Sequence, residues 1–222
     1  MRLYVLIVIA ILAMGFFVAC GSDETEAPNS FGSTDDDDDD GGGDGSLFSE
    51  ECDIDYSVDM DCDGPEAECT HARLLNEDRY AHPEESDCAQ PLFYDDPVAA
   101  VAEAHSRDMC ERGFFDHANP DGESPFDRME AAGLGFVAAG ENIYMACGMS
   151  LSQVITQAEI DFMDEPECEP NHRSNILARN FKFVGVGIYE CDDGCIYLTQ
   201  DFITYAYGDI RTDQHEYCPA LD

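Results

Sequence analysis

Positive charge is what this chain has least of. Lys182 is its only lysine, and 10 bases stand against 49 acids, for a formal net charge of -39 over 222 residues. A polyanion would be repelled before any contact formed, which excludes nucleic acid and anionic lipid headgroups as partners. No CxxC pair is present, so a zinc ribbon is excluded. No GxSxG or comparable nucleophile motif surrounds Ser106 or Ser174, which disfavours a serine hydrolase. No internal repeat and no second hydrophobic core can be found, leaving one domain of about 140 residues, within the usual size range.

What is present begins with Arg2 and the apolar run from Leu3 to Ala19, ending Phe17-Val18-Ala19-Cys20. This reads as a signal peptide over 1–19 with a lipobox, so that Cys20 becomes the lipidated amino terminus and ties the protein to the cell envelope through the membrane. Phe17 in place of leucine leaves plain signal cleavage or a retained anchor as alternatives. Residues 20–46, with the aspartate run Asp35 to Asp40 and Gly41-Gly42-Gly43, cannot bury enough apolar area to offset ordering and are expected to be a disordered tether. An acidic, cysteine-bearing preface covers 47–65. Asp59, Asp61 and Asp63 with Gly64 imitate the first half of a calcium loop, but Thr70 stands where an EF-hand needs a bidentate glutamate, so the segment reads instead as a disulfide-tied acidic turn.

Setting aside Cys20, the remaining ten of the 11 cysteines form an even, scattered set that implies disulfides and an oxidising compartment. Two pairings can be argued: Cys191 with Cys195 across a turn, and Cys147 with Cys168 across the loops around them.

Periodicity places a first helix over Glu66 to Arg79. A second opens at Asp96-Pro97, with Asp96 as its cap, and ends at Gly113, burying Val98, Val101, Ala102, His105 and Met109 on one face. His105 is therefore read as a packing histidine. Ser124-Pro125-Phe126-Asp127 and Ser150-Leu151-Ser152-Gln153 are capping sequences for two further helices. In the latter, Leu151, Val154, Ile155, Ala158 and Phe162 form the apolar stripe, and Glu159 and Asp161 are read as solvated. Lys182 to Glu190 and Ile196 to Tyr205, joined by Asp192-Asp193-Gly194, read as a β-hairpin. Together these argue an α+β domain in three layers, α-β-α.

The polar stretch Gly140-Glu141-Asn142-Ile143 reads as a short turn holding a carboxylate toward a cleft. Phe115-Asp116-His117 lies upstream, with His117 at a loop edge off any apolar stripe, as a ligand would be. Downstream lie Glu165 and Asn171-His172-Arg173-Ser174-Asn175-Ile176-Leu177. His117, His172, Glu141 and Glu165 are a donor set able to bind zinc or another divalent ion, directly or through water.

These pieces, with Leu75-Asn76-Glu77-Asp78-Arg79, Ala104-His105-Ser106-Arg107-Asp108-Met109 and Val184-Gly185-Val186-Gly187, stand in the order of one known family. Over roughly Glu66 to Gly208 the chain resembles the bacterial SCP-like extracellular branch of the CAP superfamily, which comprises cysteine-rich secretory proteins, antigen 5 and pathogenesis-related proteins. The resemblance implies a disulfide-stabilised α-β-α sandwich over 66–222. It also implies a cleft tetrad of His117, Glu141, Glu165 and His172, with Asn142 and Asn175 in support. Phe162 replaces the family's usual tryptophan. Glu165 matches animal and plant members where many bacterial relatives carry serine, and Glu167-Cys168-Glu169-Pro170 is an insertion ahead of His172. The preferred reading is an extracellular binding module for a lipid, a sterol or another protein, with a metal-capable cleft. The alternatives are a metal-dependent hydrolase with Glu141 or Glu165 as its base, and a structural surface protein.

Overall fold

A computed structural model describes residues 62–206, residue 168 excepted. Cys20, the tether, Asp59 and Asp61 lie outside the described residues. The elements run α1 (Glu66–Ala81), β1 (Phe93–Tyr94), α2 (Asp96–Arg112), α3 (Pro125–Ala131), β2 (Phe136–Cys147), α4 (Leu151–Met163), α5 (His172–Leu177), β3 (Phe183–Glu190) and β4 (Cys195–Tyr205). The strands form one sheet in the order β1-β3-β4-β2. β1 is parallel to β3, and β4 pairs antiparallel with both β3 and β2.

Strand side chains alternate between faces, so β4 serves two cores at once. Leu198 and Phe202 pack with Ala72, Leu75, Ala158, Phe162, Ile176 and Leu177 from α1, α4 and α5. Ile203, one step out of phase, packs with Val98, Val101 and Met129 from α2 and α3. The sheet is thus the middle layer of the expected α-β-α sandwich. Two glycines set how close α2 can come: a Cβ on Gly185 would lie 2.1 Å from the amide nitrogen of Ala99, and one on Gly187 would lie 1.9 Å from that of Glu103.

The capping sequences act as read. Ser124 and Ser150 each accept from the backbone three residues on, in reciprocal capping boxes, and a third box, Asn171 with Ser174, opens α5. Gly113 ends α2 with φ +67°. The cap of α2, however, is Asp95, which accepts from Val98 N at 3.0 Å, so Pro97 sits at the second helical position and Asp96 is the first.

Three further expectations are corrected. Gly140-Glu141-Asn142-Ile143 is no turn but the middle of the twelve-residue strand β2, because an unbroken ladder from β4 takes up its backbone groups. Glu159 is buried at 4 % exposure, since α1 lies across the flank of α4 that periodicity assigned to solvent; Asp161 is half-buried and receives the Tyr144 hydroxyl at 2.8 Å. Cys191 and Cys195 do not pair with each other. Cys195 faces Cys147 across the β2–β4 ladder and bonds to it, which also rules out Cys147 with Cys168, while Cys191 reaches Cys110 near the end of α2. The turn sends its two cysteines to different layers. Cys62 with Cys69 ties the acidic preface to α1.

Candidate functional site

β2 is an edge strand, and alternation sends its consecutive residues Glu141 and Asn142 to opposite faces of the sheet. Each anchors one half of the site.

On the α2/α3 face, Glu141 is 5 % exposed. Its Oε1 accepts from His117 Nδ1 at 2.7 Å, and its Oε2 accepts from the Arg128 guanidinium at 2.5 Å. Arg128 comes from α3, which the Ser124 capping box starts in register, and it also donates to the His117 carbonyl at 2.8 Å. It therefore holds both members of the pair. His105 Nε2 lies 4.0 Å from Glu141 Oε1 and is hydrogen-bonded to the Asp116 carbonyl at 3.1 Å. The packing histidine of α2 thus also backs the site and fixes its loop. Burial opposes ionisation of Glu141 more than any other influence, but the His117 hydrogen bond, Arg128 and His105 together outweigh it and hold the carboxyl below its ordinary range.

On the other face, His172 opens α5. Its Nδ1 is bonded to Glu165 Oε1 at 2.6 Å, and its backbone N–H donates to Glu165 Oε2 at 2.7 Å. The ring stacks on Phe162 with centroids 4.6 Å apart, so the phenylalanine in the tryptophan slot aligns the imidazole. Partial burial works against the Glu165 carboxylate, yet the His172 hydrogen bond and charge leave its carboxyl below the ordinary range. The insertion before His172 does not turn Glu165 away.

Asparagines join the halves. Asn142 donates to the His172 carbonyl at 3.2 Å and to Gln200 Oε1 at 2.7 Å. Asn175 donates to Asn142 Oδ1 at 2.8 Å and to the Glu141 carbonyl at 3.2 Å. Both are buried. The four residues singled out in the sequence thus form two His–Glu dyads on either side of one strand, tied by an amide network. Among the described residues no group of three or more His, Cys, Asp or Glu is arranged to hold a metal ion.

In both dyads the carboxylate engages Nδ1, so Nε2 is the ring nitrogen not committed to the carboxylate. Histidines that bind a metal usually donate their other N–H to a carboxylate, which fixes ring orientation and tautomer. The donor set and its outer support therefore fit a divalent ion held by His117 and His172 Nε2, with the glutamates behind the rings.

Three residues of the site escaped the sequence reading. Arg128 was hidden in a short helix, although its position one residue after the capping Asp127 marks it as facing away from the cap. Gln200 and Asp201 lie within the hairpin strand. Asp201 is the direct partner of Glu141 and is wholly buried, with neither carboxyl oxygen hydrogen-bonded by a donor. The signal available was a polar Thr-Gln-Asp run inside an otherwise apolar strand.

Comparison with known proteins agrees with this architecture. The family described as "Cysteine-rich secretory protein family", CAP, matches residues 72–202, more than half of the chain. The uncharacterized protein YkwD of Bacillus subtilis strain 168 is 38 % identical over 114 residues, 51 % of this chain and 40 % of YkwD. The uncharacterized membrane protein YlbC of the same organism is 33 % identical over 112 residues, 50 % of this chain and 28 % of YlbC. The matches thus span less than half the length of these relatives. Among solved structures, an extracellular protein containing an SCP domain from Bacillus anthracis str. Ames aligns with TM-score 0.48 and 28 % identity over 62 % of this chain and 40 % of that one. An outer surface protein from Borrelia burgdorferi aligns with TM-score 0.47 and 16 % identity over 62 % of this chain and 94 % of its own.

Proposed function

Because this chain belongs to the cysteine-rich secretory protein (CAP) family, we propose that it is an exported binding module whose cleft takes a divalent cation, zinc foremost, on the Nε2 atoms of His117 and His172. The observation that carries this is the pair of Nδ1 contacts, 2.7 Å to Glu141 and 2.6 Å to Glu165, the arrangement that readies an imidazole for a metal. A bound cation would supply a fixed positive centre to which a lipid, sterol or protein ligand presents an oxygen. Lipidation at Cys20 would hold the module at the cell surface. Among the described residues no helix is long and apolar enough to cross a membrane.

Binding is preferred to hydrolysis for a geometric reason. Glu141 has both oxygens committed, one to His117 and one to Arg128, and its side chain is 1 % exposed. A general base must reach the proton it removes. Glu165 also spends both oxygens on His172.

Calorimetric titration of the folded protein with zinc, beside His117→Ala and His172→Ala, tests the proposal. Each substitution should weaken binding by at least tenfold. Equal affinity in all three would place any site elsewhere.

A further inference from the structure

His71, wholly buried on α1, takes no part in either dyad. Its Nδ1 is 3.1 Å from the Ile155 carbonyl, and its Nε2 is 2.6 Å from Gln200 Nε2. A carbonyl oxygen can only accept, so the ring carries a proton on Nδ1. Burial drives the pKa down to about 4, which keeps the ring neutral and leaves that proton its only one. Nε2 therefore presents a bare lone pair, and the Gln200 contact is an amide N–H donated to His71.

That tautomer sets the direction of every amide beyond it. Gln200 Nε2 also donates to Glu159 Oε2 at 3.1 Å, an oxygen 3.3 Å from His71 Nε2. Burial pushes the Glu159 carboxyl well above its ordinary range, which favours the neutral acid and keeps a charged oxygen from standing against the lone pair. With its nitrogen turned to His71, Gln200 directs Oε1 across the β2–β4 ladder to its register partner Asn142, which donates to it at 2.7 Å. Asn142 also donates to the His172 carbonyl at 3.2 Å, and its Oδ1 accepts from Asn175 at 2.8 Å. Asn175 in turn donates to the Glu141 carbonyl at 3.2 Å. The chain runs from His71 through three amides and ends on the carbonyls of His172 and Glu141, one from each dyad.

Both ends of the chain demand the same direction, because His71 Nε2 and the two carbonyls can only accept. Turning Gln200 over would set its oxygen against the bare Nε2 of His71 and its N–H groups against those of Asn142. Turning Asn142 over would set its oxygen against the His172 carbonyl and its N–H groups against those of Asn175. All three amides are buried, so a turned one would lose its partners with no water to replace them. Fully satisfied chains of this kind polarise one another and specify a single arrangement.

We infer that His71 is a positioning residue for the cleft: from α1 it locks Gln200, and through Gln200, Asn142 and Asn175 it fixes where the backbones of Glu141 and His172, and with them the two dyads, stand relative to each other. Its part in cation binding rests on the proposed function; its part in ordering the amides does not. The chain ends on backbone carbonyls and touches neither imidazole of the dyads. It therefore acts on the spacing of the dyads and leaves the chemistry of each ring alone.

Hydrogen exchange of side-chain amides in the full chain, followed by nuclear magnetic resonance with isotope-labelled asparagine and glutamine, tests this. His71→Leu removes the acceptor and should speed exchange at Asn142 and Asn175 at least tenfold. Asn76, also on α1, is bonded to the Leu92 backbone at 3.0 Å and 2.8 Å, outside the chain, and should not change. His71→Gln, whose amide carries a donor and an acceptor on one carbon as the imidazole does, should restore wild-type exchange. Zinc affinity should fall about tenfold in His71→Leu, as for other outer-shell partners of a metal, and recover in His71→Gln. Should His71→Leu not fold, Gln200→Met cuts the same chain and takes its place. The inference is overturned if Asn142 and Asn175 keep the wild-type rate in the cut variant, if Asn76 speeds up as much as they do, or if His71→Gln behaves like the cut variant. It is also overturned if wild type binds zinc and the cut leaves that affinity unchanged. If wild type binds no zinc, the proposed function fails and the exchange comparison still decides this inference.

Discussion

Glu141 on β2 and Asp201 on β4 stand directly opposite each other in the sheet, two buried carboxyls that the protein pushes in opposite directions. Glu141 is held below its ordinary range despite its burial, by His117 and Arg128. Asp201, with no donor, is raised well above 3.8 by burial first and by the neighbouring Glu141 second. Each makes the other's state more favourable: a charged glutamate beside a protonated aspartic acid avoids placing two negative charges together out of water.

A pH dependence follows with a definite sign. Asp201 has a raised folded value, so its contribution is fully present below the unfolded carboxylate range and is lost as pH rises through the folded value. Glu141 is the reverse, contributing above that range and losing it as pH falls. Asp201→Asn, which keeps the shape and can donate to Glu141, should therefore melt higher than wild type at pH 8. The difference should shrink toward zero near pH 4. Thermal melts across pH decide it, each kcal/mol appearing as about 2–4 °C; a difference independent of pH would refute the assignment.

Among the described residues, Arg128 is the positive partner of Glu141 that does not depend on imidazole protonation. Arg128→Met removes it and leaves a buried carboxylate uncompensated, which costs about 3–5 kcal/mol. Denaturant unfolding measures this. A loss below about 1 kcal/mol would mean that the carboxylate finds other support.

Glu165→Gln tests the second dyad without touching the first. The amide oxygen can still accept from His172, but the carboxylate charge behind the ring is gone. Zinc affinity should fall about 10- to 100-fold, while the melting temperature moves little, because Glu165 is only partly buried. An unchanged zinc affinity would separate Glu165 from the site.

Gly187→Ala places a methyl group 1.9 Å from a backbone nitrogen of α2, and helix backbone cannot swing aside as a flexible side chain can. Overpacking of this kind costs about 1–3 kcal/mol and occasionally more. Gly187→Ala should therefore lose about 1–3 kcal/mol by denaturant unfolding; an unchanged midpoint would mean that α2 can move off the sheet at no cost. Gly148→Ala, where nothing lies within 4 Å but φ is +74°, should lose about 1 kcal/mol from strain alone.

Much of this is legible from local pattern. Serine caps, the glycine that ends α2, the apolar stripe of α4 and the β3–β4 hairpin are local features, written within a few residues of where they act. The four cleft residues stand out because each carries metal-capable chemistry where packing does not require it. Glu159 reads as solvated because helical periodicity records one buried face, and α4 has its sheet-facing stripe and a flank against α1. Gly140-Glu141-Asn142-Ile143 reads as a turn because its polar residues break the alternation expected of a strand, which here is buried on both sides and filled with amides and carboxyls.

Sequence alone determined the local starts and stops, the acidic character of the chain, and which imidazoles and carboxylates stand off the apolar stripes, since those depend on side-chain type and near neighbours. Only the tertiary structure decided how these residues group: His117 with Glu141 and Arg128 on one face of β2, His172 with Glu165 on the other, Asp201 against Glu141, and Cys191 and Cys195 bonded to separate partners. Those pairings are set by strand register and by which helix covers which face, and both are fixed by contacts between segments far apart in the chain that short-range pattern cannot encode.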